Sequence, residues 1–488
     1  MSYMSNVIEQ VHTQLFIDGQ WVEGDSQETK EVINPATGEV IAKVAQAGEA
    51  ETKRAIEAAE KAFPAWRDME LKDRVELLNK VADLLEENAD YIAEVMTIEQ
   101  GKPFKESQVE SIGGADLFRW NAEESRRLYG ELIPAPNNHK FEIVYQPIGV
   151  VGAITPWNFP AGMVTRKLAP ALAAGNTIVL KPSSDTPLTA LAIFEQFEAA
   201  GLPAGVVNLV MGSSEVIGKT MTDSDTVRKL TFTGSTPIGK ELYKQSADTL
   251  KKMSLELGGH APFIVHGDAD IDAAVEGLVA AKFRNNGQVC VSPNRIFLHD
   301  SIKDTFTERL VDKVKTLKVG NGMDSSSDIG PLIREDAIDK IQEQLDDATS
   351  KGAKILLGGE RLIEGDYAAG SFYAPTILDG VDCTMDIFYK ETFGPVIPLI
   401  SYSELDEVIE MANDTEFGLA SYAFASSAKV IQEISRRLEY GMVGINATSI
   451  SQPETPFGGV KHSGFGRENS HLGIKEYVIE KFVNTRFI

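Results

Sequence analysis

Cysteine is nearly absent from this chain. There are two, Cys290 and Cys383, in 488 residues. They cannot form a disulfide framework, and such sparse usage fits a reducing compartment. Basic side chains are also short: 47 Lys and Arg face 72 Asp and Glu, a formal charge of −25. That argues against a nucleic-acid binder, which needs a basic footprint, and against a polyanionic membrane surface. An anionic ligand must be held by a local positive device, because the overall field opposes it. The seven histidines are scattered, with no HExxH pair and no Cys/His cluster, so no metal site is expected. No repeat of 20–50 residues and no low-complexity tract is present. The uncharged stretch Pro147–Thr165 is long enough to suggest a membrane span, but Pro147, Gly149, Gly152, Pro156, Asn158 and Pro160 interrupt it. It reads as a buried strand and a loop. The N-terminal MSYMSNVIEQVHTQ has neither a basic n-region nor an apolar h-region, so no signal peptide and a cytoplasmic location are expected.

What is present is an ordinary globular mix, 43% hydrophobic and 24% charged, long enough for about three domains. Residues 15–45 read as short strands with a turn at Pro35–Gly38. Apolar positions from Val75 to Met96 recur at three or four, with one seven-residue gap. They predict one helix, ended by Gly101 and Pro103. Leu132–Gln146 reads as a projecting hairpin around Pro136–Lys140. From Val150 strands and helices alternate. Strands are expected at Val150–Ile154, Thr177–Lys181, Val206–Val210, Arg228–Thr233, Lys252–Leu257 and Pro262–Val265. Helices are expected at Arg166–Ala174, Pro187–Ala200 and Ser235–Ser246. This alternation implies parallel sheet in an α/β fold, and a second such run covers about 265–450.

Four segments are candidates for chemistry. Gly234-Ser-Thr-Pro-Ile-Gly239 follows a strand and opens a helix, where backbone N–H groups can cradle phosphate. It lacks the dinucleotide glycine pattern. As a P-loop it fails at Glu241, where a Mg²⁺-binding Ser or Thr belongs. Phe283–Cys290 ends in a lone cysteine, which is either a small buried hydrophobe or a nucleophile needing a base. Leu255-Glu256-Leu-Gly-Gly259 ends a strand with a carboxylate flanked by leucines, which is either a solvated strand-end acid or a general base, whose pKa such a setting would raise. Thr155-Pro-Trp-Asn-Phe-Pro160 places Asn158 in a Pro-bracketed turn, where its amide can face an oxyanion. Cys383, in GVDCTMD, carries no such context.

In this order the segments resemble the aldehyde dehydrogenase superfamily over essentially the whole chain. The carriers are TPWNFP at Thr155, KPS at Lys181, FTGST at Phe232, LELGG at Leu255, the GQVC cysteine and ETFGP at Glu391. Within it, TRKLAPALAAG at Thr165, KFRNNGQVC at Lys282, EYGMVGIN at Glu439 and ISQPETPFGGVKHSGFGRE from Ile450 are similar to the succinate-semialdehyde dehydrogenase group. Glutarate-semialdehyde dehydrogenases share these features.

The resemblance implies a Rossmann-type NAD(P)-binding domain (1–128 and 147–258), an α/β catalytic domain (259–458) and a small β oligomerisation arm (129–146 and 459–488). It implies a homodimer or homotetramer, and succinate semialdehyde oxidised to succinate, a step of GABA degradation. Cys290 would be the nucleophile, Glu256 the base for thioester hydrolysis and Asn158 the oxyanion donor. Thr155, Pro156, Trp157, Lys181, Ser183, Ser184, Gly234, Ser235, Glu391 and Phe393 would hold the cofactor. Arg166, Arg284 and Ser451 would hold the substrate carboxylate; the alternative for each arginine is a structural ion pair. Many relatives carry glutamate where this chain has Ser184, so NADP is expected in preference to NAD. Ser292 stands where some relatives have a second cysteine, so no local disulfide switch is available there. A P-loop phosphotransferase and a binding protein that has lost its chemistry are the rival classes.

Overall fold

A computed structural model describes residues 7–488; the first six residues of the segment tested above for a leader lie outside the described residues. Two sheets dominate. The first has eight strands, in the order Gly464–Phe465, Lys252–Glu256, Val227–Thr233, Val150–Ile154, Thr177–Lys181, Val207–Leu209, Leu15–Ile17 and Gln20–Val22. Its five middle strands run parallel, and both flanks are antiparallel. VVGAI and TIVLK are buried at every position because helices cover both faces. Strand order reverses beside Val150–Ile154: the chain steps outward to 177–181 and 207–209, then returns to add 227–233 on the other side. Such a reversal opens a crevice at the carboxyl ends of the strands. Thr155 and Gly234 follow the two strands that flank it. Lys181 and Glu256 end two further strands of the same parallel set.

The second sheet has seven strands, ordered Lys354–Leu357, Thr376–Asp379, Val396–Tyr402, Pro293–His299, Ala261–Val265, Ala420–Phe424 and Met442–Ile445. All its pairings are parallel except 354–357 against 376–379. The link between the sheets is short. The chain leaves the first at Glu256 and enters the second at Ala261. The carboxyl edge of one sheet is thereby tied to the amino edge of the other. Cys290 and Glu391 precede the strands Pro293–His299 and Val396–Tyr402, so they lie on that amino edge. In a third sheet His139–Pro147 lies between Val478–Arg486 and its hairpin partner Glu131–Ile133, antiparallel to both.

Two helix expectations need correction. Val75–Met96 is not one helix: Leu71–Glu87 and Ala89–Gln100 are separate, divided at Asn88. The break falls in the seven-residue gap between the core positions Leu85 and Ile92. The helix expected at Arg166–Ala174 starts earlier, as Pro160–Ala173. Pro160 has no N–H to leave unpaired, and its fixed φ suits a first helical turn. The helix Ser214–Asp223, capped by the Ser213 hydroxyl, was not anticipated. Among the described residues no helix is long and apolar enough to cross a membrane.

Candidate active site

The Cys290 loop is built by three consecutive residues in the left-handed region. After the helix Ile271–Phe283, Asn285, Asn286 and Gly287 have φ of 46°, 55° and 74°. Asparagine tolerates this conformation better than other L residues do. At Gly287 only hydrogen fits, because a Cβ would lie 2.2 Å from the Gly394 carbonyl oxygen. The loop is then stitched to the WNFP turn. Asn158 Nδ2 donates to the Gln288 carbonyl at 2.9 Å, and Asn285 Nδ2 donates to the Asn158 carbonyl at 2.8 Å. Phe159, Met163 and Val289 close a small apolar cluster over the joint.

Burial dominates the electrostatics here. It pushes the Cys290 thiol up to about 12; the Arg166 charge pulls the other way, and Glu391 and Glu256 add to the rise. Glu256 is 2% exposed and neither carboxylate oxygen has a hydrogen-bond partner among the described residues. Its pKa is raised well above the carboxylate range, first by burial and then by the charge of Glu468; Lys167 and Arg166 oppose the rise. One guanidinium therefore acts on both the thiol and the carboxyl group.

Cys290 opens on a cavity of about 840 Å³ that Arg166, Arg284, Ser451, Phe159 and Phe457 also line. Arg166 Nη2 donates to Ser451 Oγ at 2.9 Å, and its guanidinium lies 4.4 Å from the Phe457 ring centroid. Its Nε and Nη1 are buried without a hydrogen-bond partner among the described residues. Glu468 Oε2 stands 3.8 Å from Nη1, while Glu468 Oε1 accepts a 2.7 Å bond from Lys167. The ion-pair alternative is thus half met at Arg166, with donors left over. Arg284 stacks 4.8 Å from the Phe159 centroid, and no carboxylate pairs with it among the described residues. The orphaned donors of Arg166 are costly to leave desolvated, and the exposed Arg284 guanidinium lines the same cavity, so this wall suits an anion.

The other expected residues gather at the carboxyl edge of the first sheet. Lys181 is 2% exposed, bonded only to the Pro182 carbonyl, and lowered to about 8, first by burial and then by Lys30. The Thr155 N–H donates to the Lys181 carbonyl at 3.1 Å, while the Thr155 and Thr233 hydroxyls are buried without partners. Gly234 N donates to the Glu256 carbonyl at 3.0 Å, and a Cβ there would meet the Phe232 ring at 2.5 Å. Ser235 stands at the N-cap of Thr236–Gln245 with its side chain uninvolved in capping. Glu391 Oε1 accepts the Gly259 N–H at 3.0 Å, and burial raises its pKa. Phe393, at φ 56°, sets its ring edge-on to Trp157 at 5.7 Å between centroids. Pro156 holds the turn between Thr155 and Trp157. Ser183 Oγ accepts the Asp185 N–H. Ser184 lines a separate cavity of about 650 Å³ with Lys30, Glu49 and Ser213, away from Cys290. Orphaned hydroxyls, a buried lysine bonded among the described residues to a single carbonyl, and a helix N-terminus without a side-chain cap fit a phosphate-bearing dinucleotide.

Several functional neighbours were not singled out from sequence: Lys102, Glu110, Lys167, Phe457 and Glu468. Lys102 was visible between Gly101 and Pro103, but these were read only as a helix stop. Glu468 stood inside a quoted segment without a role.

The sequence pattern of the aldehyde dehydrogenase family matches residues 21–483. A glutarate-semialdehyde dehydrogenase of Pseudomonas putida is 51% identical over 471 residues, covering 96% of this chain and 97% of the relative. An NADP(+) succinate-semialdehyde dehydrogenase of Escherichia coli (strain K12) is 48% identical over 480 residues, 98% of each chain. The crystal structure of a succinate-semialdehyde dehydrogenase from Burkholderia pseudomallei superposes with a TM-score of 0.96 at 47% identity, covering 98% of both chains.

Proposed function

The chain belongs to the aldehyde dehydrogenase family, and from that premise we propose that it oxidises an aldehyde bearing a distal carboxylate. Succinate semialdehyde is the first choice and glutarate semialdehyde the second. The observation that carries this reading is the cavity shared by Cys290 with Arg166, Arg284 and Ser451. A guanidinium with free N–H groups suits a carboxylate, and two of them suit a substrate held by its tail while its head meets the thiol.

Cys290 Sγ adds to the aldehyde carbon, and the thiol proton passes to a base. Water serves as that base in the first half of the reaction, and Glu256 is reserved for the second. The carbonyl oxygen becomes an alkoxide. The Asn158 amide and the Cys290 backbone N–H are its donors. When bound, the oxidised nicotinamide of NAD(P) supplies the hydride acceptor that turns the thiohemiacetal into a thioester. Thr155, Pro156, Trp157, Gly234, Ser235, Lys181, Ser183, Ser184, Glu391 and Phe393 would hold that dinucleotide. Glu256 then takes a proton from water, which attacks the thioester; the adduct collapses to the carboxylic acid and the Cys290 thiolate, which takes that proton from Glu256 to restore the free thiol. The balance is aldehyde, NAD(P)⁺ and water giving acid, NAD(P)H and a proton.

Ser184 supports NADP over NAD, since it removes a carboxylate that would repel a 2′-phosphate and leaves Lys181 and Lys30 nearby. Exposed apolar residues on the three-stranded sheet, Leu132, Ile479 and Phe482, support an oligomerisation arm at 129–146 and 459–488. The arm would join NAD(P)-binding (1–128, 147–258) and catalytic (259–458) domains into a homodimer or homotetramer. Two free cysteines are consistent with a cytoplasmic setting. A panel of succinate semialdehyde, glutarate semialdehyde and butanal, each assayed with NAD and NADP, tests the reading. Equal kcat/KM for butanal and the two semialdehydes would overturn it.

A further inference from the structure

A buried ion pair that the mechanism does not use sits behind Asn158. Lys102 is 1% exposed, and its Nζ bonds Glu110 Oε2 at 2.5 Å. The same Nζ donates to the Asn158 carbonyl at 2.7 Å and lies 4.0 Å from the Phe159 ring centroid. That carbonyl has a second donor in Asn285 Nδ2 at 2.8 Å. With two donors on its oxygen, the peptide plane that follows Asn158 cannot rotate freely. The side chain of Asn158 is set by that plane and by its own bond to the Gln288 carbonyl at 2.9 Å.

Glu110 is not spent on the lysine alone. Its Oε1 accepts the Ala161 and Gly162 N–H groups at 3.0 and 2.9 Å, satisfying the first turn of the helix that carries Arg166. The approach to Lys102 is held as well. Gln100 Oε1 accepts the Lys102 N–H at 3.0 Å, and Gln100 Nε2 donates to Asn285 Oδ1 at 2.9 Å. Glu106, on the same helix as Glu110, accepts the Asn285 N–H at 2.8 Å. Through these bonds Lys102, Glu110, Gln100 and Glu106 reach the segment carrying Asn158 or the loop carrying Cys290. A buried pair gains little stability over an apolar replacement, so its presence calls for another reason.

We propose that Lys102, braced by Glu110, is a positioning residue that aims the Asn158 amide at the developing oxyanion. This rests on the assignment of Asn158 as oxyanion donor. Because the oxyanion forms with any aldehyde, Lys102 acts on turnover of charged and uncharged substrates alike, unlike Arg166 and Arg284.

The test is a double-mutant cycle on the full-length enzyme, read as kcat and KM with butanal and succinate semialdehyde. Asn158→Ala should lower kcat by about 10²–10³-fold for both. Lys102→Met should lower kcat by about 10–100-fold for both, a fraction of the loss of the donor itself, with KM and cofactor binding little changed. In the Asn158→Ala background the lysine change should add less than about two-fold, since its only route to the reaction is gone. The paired Lys102→Met/Glu110→Gln variant leaves no buried charge alone and should behave in the same way if Lys102→Met does not fold. Wild-type turnover in Asn158→Ala would sink the underlying assignment. A full loss from Asn158→Ala with fully multiplicative Lys102 effects, or loss confined to KM, would overturn the positioning role alone. Failure of both lysine variants to fold would overturn it too, because the pair would then be structural.

Discussion

Two groups of side chains meet at Cys290 and treat charge in opposite ways. Around the reacting atoms the neutral forms are favoured. The thiol is pushed up to about 12, and the Glu256 carboxyl is raised well above its usual range with no hydrogen bond to either oxygen. On the adjoining wall positive charge is kept. Arg166 and Arg284 rest on aromatic rings at 4.4 and 4.8 Å, and Arg166 retains buried donors without partners. Reacting groups held neutral need a trigger, whereas recognition groups held charged are ready beforehand. On the proposed reading a semialdehyde would supply both needs: its carboxylate would satisfy the wall and its carbonyl would be brought to the thiol.

Four substitutions probe the contrast. The largest effect belongs to Cys290→Ala, which should abolish reduced-cofactor formation while dinucleotide binding persists; Cys383, exposed and remote in sequence, should be replaceable by alanine without loss. Residual oxidation by Cys290→Ala would mean that another group is the nucleophile. Next, Glu256→Gln should retain a single-turnover burst of reduced cofactor but lose steady-state rate by about 10²–10⁴-fold. A missing burst would place Glu256 in thiol activation as well as hydrolysis. Smaller is Ser184→Glu, which should move the NADP-to-NAD ratio of kcat/KM toward NAD by about tenfold, the size of one partly screened charge contact. An unchanged ratio would remove Ser184 from the 2′-phosphate site. Smallest is the shift from Glu468→Gln. The negative charge of Glu468 raises the pKa of Glu256, so removing it lowers that pKa. The base is active when deprotonated. The acid limb of thioester hydrolysis, measured after the burst, should therefore move to lower pH. No movement, or movement upward, would separate the two carboxyl groups.

Much of this was legible in the sequence because burial is periodic within an element. VVGAI and TIVLK read as parallel strands since both faces are covered, and Pro187 with Gly201 marked a helix at both ends. The boundary at Asn88 was missed because the small buried side chain of Ala89 is a weak marker between Leu85 and Ile92, and the gap does not announce a break. The start at Pro160 was missed because the WNFP turn and the first helical turn overlap. Cys290, Glu256 and Asn158 were visible through their motifs. The Lys102–Asn158 and Lys167–Glu468 contacts span 56 and 301 residues. No local spacing reveals such contacts; they exist only once the fold has brought distant segments together.

The central claim is that the guanidinium wall reads a carboxylate. Its most direct test is kcat/KM for succinate semialdehyde and for butanal, measured on the wild type and on Arg284→Ala. The wild type should prefer the semialdehyde. Loss of the guanidinium should cut semialdehyde oxidation by about 10- to 150-fold, the worth of hydrogen bonds to a charged group, while butanal stays within about two-fold. An equal fall for both aldehydes, or no preference in the wild type, would contradict the account.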